Sequence, residues 1–171
     1  MIKITKATAE DVHLISEVGK ISFLESHGIS GPDEDIKQYM EQAFSLEAIT
    51  HELNDKKNNY YLIYHNNRIA GYSNAVYNAL NPKIESPNVT KLDRLYILKE
   101  FHGLKLGTAL FEFNIQLSKE QKQTGLWLYV WTGNKPALSF YKKAGMEIIA
   151  NTSFKITENH SNPNYWMYKV Y

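Results

Sequence analysis

Residues 94–119 read RLYILKEFHGLKLGTALFEFNIQLSK. The segment opens as an apolar, β-rich run and closes as an amphipathic helix with Leu106, Leu110, Phe113 and Leu117 on one face. Between the two lie Gly103 and Gly107, with Lys105 midway. A helix N-terminus carries unpaired N–H groups and the positive end of the dipole, so it attracts anions. Glycines let the backbone approach a phosphate closely, and Lys105 adds a mobile positive charge. The same residues would also serve a plain βα turn packed tightly. A Walker A loop is excluded, because Thr108 and Ala109 follow Gly107 where that loop needs Lys and Ser or Thr. The G-x-G-x-x-G spacing of a Rossmann turn is absent as well.

Upstream, Ile2–Ala7 alternates like a half-buried strand. Thr8 opens a capping-box-like start in which Asp11 replaces the usual Glu, and Val12, Ile15, Val18 and Ile21 form the stripe of a first helix. Gly28, Gly31 and Pro32 end it. Residues 33–44 read as a second helix, and Ser45 can cap a third. Two tyrosine-rich runs flank Asn66-Asn67 and predict a β-hairpin, because Asn tolerates the positive φ of a tight turn. Residues 89–98 form the next strand, which leads into the opening segment. Downstream, GLWLYVW (125–131) is apolar on both faces, as a central strand should be. NKPALSFYKKAG (134–145) is a short helix with Pro136 near its start and Gly145 at its end. Strands from 146–156 and 165–171 close the chain. The order β, three helices, ββ, β, α, β, α, ββ predicts a single α/β domain over residues 1–171 with a mixed sheet.

The 171 residues are 43% hydrophobic and 22% charged, which predicts a folded core. A net charge of +1 argues against a general nucleic-acid or membrane-surface binder. The absence of cysteine excludes disulfides, thiolate catalysis and zinc–thiolate sites. No stretch approaches the roughly 20 apolar residues of a membrane span. The N-terminus has no signal-peptide pattern, so a cytoplasmic location is expected. No two of the six histidines are four residues apart, and no metal is expected.

Two segments together resemble the GNAT superfamily of N-acetyltransferases. In that family a strand-turn-helix reads L-Y-V, a spacer, then [RQ]-x-x-G-x-[GA]. Here it is LYILKEFHGLKLG, with His102 in the Arg/Gln position, Lys105 in the first glycine position and Gly107 matching. A later N-x-x-A-x-x-F-Y-x-x-x-G-F is met by Asn134, Ala137, Phe140, Tyr141 and Gly145, with Met146 in place of the aromatic. A narrower likeness, in YMEQAF, IAGY, RLYI, WLYVW and FYKKAGM, is to bacterial polyamine N-acetyltransferases of the PaiA type.

The resemblance implies acetyl-CoA as co-substrate, bound where two central parallel strands splay apart, with helices flanking the mixed twisted sheet. Backbone groups of Leu95, Tyr96 and Ile97 would bond the pantetheine arm, and the Ile97 N–H would polarise the acetyl carbonyl. The turn His102, Gly103, Leu104, Lys105, Leu106, Gly107, Thr108 would hold the pyrophosphate. Asn134 is carried over as a further cofactor contact. Lys105 in a glycine position narrows the allowed φ/ψ range. Tyr141 would protonate the leaving thiolate, or simply pack in the core. Asp93, by strand parity on the side of Leu95 and Ile97, would draw the proton from the amine, or else form a structural ion pair. Glu25 and His27 are weaker alternatives. Asp33, Glu34, Asp35 and Glu41 could form an acidic rim, and Tyr39, Tyr77 and Trp131 an apolar channel. The expected acceptor is a small-molecule amine such as a polyamine, with a homodimer allowed and neither nucleic acid nor membrane as partner. A protein or peptide acceptor, and a non-catalytic acyl-CoA-binding module, are the rival readings.

Overall fold

Each helix and turn begins where its local chemistry dictates. Thr8 and Asp11 close the capping box: the Asp11 carboxylate accepts from the Thr8 N–H at 2.7 Å. In the computed structural model, which describes residues 1–171, a short 3-10 turn there leads from β1 (Ile2–Lys6) into α1 (Val12–His27). Next come α2 (Asp33–Ala43) and α3 (Leu46–Asn54), the latter capped by Ser45, whose Oγ accepts from the Ala48 N–H at 3.1 Å. Asn66 and Asn67 adopt φ of +49° and +63° and turn β2 (Asn58–His65) back into β3 (Arg68–Val76). The chain continues through β4 (Thr90–Ile97), α4 (Leu106–Glu120), β5 (Gly125–Trp131), α5 (Lys135–Lys143), β6 (Glu147–Thr157) and β7 (His160–Val170).

The strands form one mixed sheet of order β1-β2-β3-β4-β5-β7-β6. Every neighbouring pair is antiparallel except β4 and β5. Those two pair only at Thr90–Leu126 and Lys91–Trp127, and then diverge. The expected splay of central parallel strands is therefore present. One core packs α1, α2, α3 and the start of α4 on β2 and β3, through Ile15, Ile49, Leu62 and Leu110. A second packs α4 and α5 on β5, through Phe111, Leu126, Leu128 and Leu138. Each such aliphatic side chain contributes about 2 kcal/mol by leaving water.

Two details differ from the sequence reading. Ile21 is 42% exposed and lines a groove with Leu14 and Ile69 instead of facing inward. On α4 the buried stripe is Leu106, Leu110, Asn114 and Ser118, flanked by Phe111, while Phe113 and Leu117 are half-buried. Hydrophobic periodicity passes over the two polar members. Asn114 Nδ2 donates to Ser73 Oγ at 2.9 Å, and Ser118 Oγ meets Thr90 Oγ1 at 2.6 Å, so both side chains find a partner on the sheet while Asn114 Oδ1 has none.

Candidate active site

The gap between β4 and β5 organises the site. The Leu98 N–H donates to the Ala70 carbonyl, so even-numbered residues at this end of β4 turn their backbone groups toward β3. Those of Leu95 and Ile97 face the gap. Tyr96 is a correction: its backbone groups belong to the β3 ladder, while its ring lies on the opposite face near Tyr72, at a centroid distance of 5.8 Å. His102 Nε2 lies 2.9 Å from the Ile97 carbonyl oxygen and donates to it, linking the turn to the strand it follows.

The turn itself enters α4 through left-handed backbone. Gly103 has φ +84° and Lys105 has φ +59°, a region where only glycine is unstrained. Lys105 thus takes a left-handed conformation that glycine adopts more easily. The first bond of α4 runs from the Ala109 N–H to the Lys105 carbonyl, leaving the N–H groups of Leu106, Gly107 and Thr108 without helical partners. A Cβ on Gly107 would meet Ile97 and Phe140 at 3.8 Å, an ordinary contact distance. Leu104 is 46% exposed beside it. Free donors, a cation and an approachable backbone fit a phosphate-bearing group at this end of the gap. Asn134 does other work, because its Oδ1 accepts from the Ala137 N–H at 3.2 Å and caps α5.

Tyr141, on α5, packs against Phe111 and Phe140 with ring centroids at 5.9 and 5.1 Å. Burial alone pushes its phenol well above the ordinary range.

Asp93 departs from the parity expectation. On β3, Asn74 faces Arg94 and Ala75 faces Leu92, so Asp93 is the extra residue of a β-bulge. The bulge breaks the two-residue period. Asp93 joins Lys91, 2.6 Å away, and Arg94, 3.9 Å away, on the face of α2 and α3. Leu95 and Ile97 belong to the other face. Arg94 anchors that region. It donates to Tyr60 Oη at 2.7 Å and to Glu52 at 3.2 Å, and its guanidinium lies 4.7 Å over the Phe44 ring. Tyr60 in turn donates to Glu52. Sequence reading missed this cluster because its members are scattered over α3, β2 and β4.

The alternatives for the base separate clearly. Glu25 accepts from the Lys99 N–H at 2.8 Å and serves as a tether. His27 stacks on Phe23 at 4.7 Å and lies 5.9 Å from Trp131, at the wide end of the gap. Burial lowers its imidazole to about 4, so it is neutral at pH 7. Ser26 Oγ, 2.9 Å from the Ser22 carbonyl, uses its one proton there and accepts from His27 Nδ1–H at 2.6 Å. His27 Nε2 keeps a free lone pair.

Of the expected acidic rim, only Asp35 turns inward, 3.2 Å from His160 Nδ1. Glu34 and Glu41 lie on the outer face of α2 with Lys37 and Gln38, and Asp33 is exposed. Tyr39 does join the aromatic wall, against Phe23 and Phe154 at 4.8 and 5.9 Å. Tyr77 does not: it packs with the α4–α5 core beside Ile115. No group of three or more potential ligands could hold a metal ion, and no helix is long and apolar enough to cross a membrane.

Known proteins resemble this chain in sequence and share its fold. The profile of the acetyltransferase (GNAT) family matches residues 23–146. An uncharacterized N-acetyltransferase from the pepI 3' region of Lactobacillus delbrueckii subsp. lactis is 27% identical over 146 residues, 85% of this chain and 84% of that protein. The PaiA N-acetyltransferase of Thermoplasma acidophilum, solved with coenzyme A, superposes with a TM-score of 0.79 at 20% identity over 100% of this chain and 99% of its own. The ribosomal-protein-S18-alanine N-acetyltransferase of Escherichia coli superposes at 0.67 with 13% identity over 99% and 94%. A strand gap that ends at a turn with free N–H donors, and a family match over most of the sequence, agree: the chain belongs to the GNAT family of acetyl-CoA-dependent N-acetyltransferases.

Proposed function

We propose that this acetyltransferase acts on the primary amine of a small molecule, with polyamines such as spermidine and spermine the first acceptors to try. The observation that carries the reading is the face of the gap opposite α4. There the Asp93 carboxylate pairs with Lys91, whose ammonium lies over the rings of Trp127 and Tyr129, with Tyr39 and Trp131 in the same aromatic wall. The likeness to PaiA supports it. His160 Nδ1 lies 3.2 Å from Asp35, so the start of β7 stands against the start of α2 on that side. A Cβ on Gly31 would run into the same imidazole, so the α1–α2 loop sits directly on it.

Acetyl-CoA supplies a thioester whose carbonyl forms a bond to the amine nitrogen as the bond to sulfur breaks. The N–H of Ile97 faces the gap and would stabilise negative charge on that carbonyl oxygen. The donors of Leu106, Gly107 and Thr108, with Lys105, would hold the pyrophosphate. An alkyl amine is mostly protonated at pH 7, with a reference pKa of about 10.4, and must lose a proton first. Asp93 would take it through a water. Tyr141, kept protonated by burial, would donate to the departing thiolate, and its buried phenolate would promptly regain a proton.

Thiol release measured across spermidine, spermine, aminoglycosides and peptides tests the acceptor. Turnover on peptides alone would reverse the assignment. For the chemical step, Tyr141→Phe should cut kcat by roughly 10²–10⁴-fold while acetyl-CoA affinity holds. Native turnover in that variant would make Tyr141 structural. Asp93→Asn should move the rate profile to higher pH, since the amine then deprotonates unaided. An unmoved profile would place the base elsewhere, with His27 Nε2 the next residue to test.

A further inference from the structure

The ammonium of Lys91 occupies a peculiar position. Its Nζ lies 2.6 Å from Asp93 Oδ1, 5.6 Å from the centre of the Trp127 ring and 5.4 Å from that of Tyr129. One carboxylate and two aromatic faces around one nitrogen form the chemistry that recognises an alkylammonium. Trp166 backs the cage, with its ring 6.2 Å from Trp127 and 5.8 Å from Tyr129. The cage stands where β4 and β5 part, since Lys91–Trp127 is the last rung before the gap. The bulge at Asp93 puts the carboxylate on this face, which a regular strand would not do.

We propose that Asp93, Trp127 and Tyr129 form the subsite that seats the acceptor's reacting ammonium before Asp93 draws its proton, and that Lys91 fills it until the acceptor arrives. The proposal rests on the amine-acceptor reading above and adds the residues that seat the cation and the residue that competes for it. Lys91 can yield. Its side chain is 27% exposed and that of Asp93 is 30% exposed, so their ion pair is partly hydrated and readily exchanged. The other role open to Lys91, neutralising a carboxylate that the bulge exposes, makes the opposite prediction. Removing the lysine would then leave nothing better able to bind there.

The test uses n-butylammonium as the probe and needs no turnover. The indole N–H of Trp127, which donates to the Ala79 carbonyl at 2.8 Å, gives a residue-specific NMR signal at the cage wall. Titration of Lys91→Met and Lys91→Gln should show binding roughly 3- to 30-fold tighter than in the native protein, the range of one recovered cation–π and ion-pair contact. Adding Tyr129→Leu should remove most of that gain. In steady-state assays the KM for the amine should fall in Lys91→Met, with the KM for acetyl-CoA unchanged. Equal or weaker n-butylammonium binding by both lysine variants overturns the proposal, as does an identical response to neutral n-butanol. If butylammonium binds as described but no amine is ever acetylated, the cage stands and the small-amine function falls. If amines are acetylated while both lysine variants behave as native, the reverse holds.

Discussion

At the scale of single residues, local rules held wherever the chemistry was local. The Thr8–Asp11 box, the Ser45 cap and the Asn66-Asn67 turn depend on neighbours within a few positions, and all three form as read. The facing of Asp93 failed because it counted every residue of β4 as one step of a two-residue period. The bulge is set by pairing with β3, which no stretch of β4 announces. His27 shows how far packing can override an intrinsic property. Its imidazole is lowered to about 4 in the fold, against an ordinary value near 6.5. The unfolded chain therefore binds a proton that the folded chain refuses as pH drops below that ordinary value. Stability is full above about pH 6.5 and declines toward pH 4, by on the order of 2–3 kcal/mol from this residue. His27→Phe keeps the stacking on Phe23 and removes the titration. Urea denaturation at several pH values should show a flatter acid limb in the variant, and an unchanged limb would mean that His27 is hydrated in solution.

Among the elements, the α4 turn was the most legible and still held a surprise. The glycines, the lysine and the helix pattern are contiguous in the sequence, so a turn opening onto the free N–H groups of a helix start could be anticipated from the segment alone. What could not be read was whether Lys105 would reshape the turn or submit to it. It submits, at φ +59°. A left-handed side chain costs about 1 kcal/mol, which Lys105→Gly should return as added thermal stability. The same substitution deletes a cation near the free donors of α4, so calorimetry should find weaker CoA binding by a stabler protein. A variant less stable than native would show that the lysine makes contacts that outweigh its backbone strain. The polar stripe of α4 teaches a related lesson. Asn114 and Ser118 are buried because Ser73 and Thr90 await them on the sheet, and a helix pattern contains no record of its partner strand.

For the molecule as a whole, element order was enough to give a mixed sheet with β4 and β5 parallel, because βαβ connections admit few arrangements. The charge cluster on the α2 and α3 face was not visible, since Glu52, Tyr60 and Arg94 meet only through the fold. It fastens α3 and the end of α2 to β4. Arg94 is nearly enclosed, with its side chain 10% exposed, so Glu52→Ala would strand a guanidinium away from water. A loss of about 2–4 kcal/mol in denaturant midpoint experiments is expected. A loss under about 1 kcal/mol would mean that Tyr60 and Asp93 suffice as partners. The divergence of β4 from β5 has a mechanical side too. β1 and β7 lie in opposite halves of the sheet, whose strand-to-strand rungs across the central seam are those at Thr90 and Lys91. Tension applied between the termini runs across that seam. The rungs sit together at one end, so they would part in succession like a zipper instead of sharing the load. Acetyl-CoA lodged between the strands would act as a splice, and a molecule stretched with its donor bound should yield at higher force than one stretched bare.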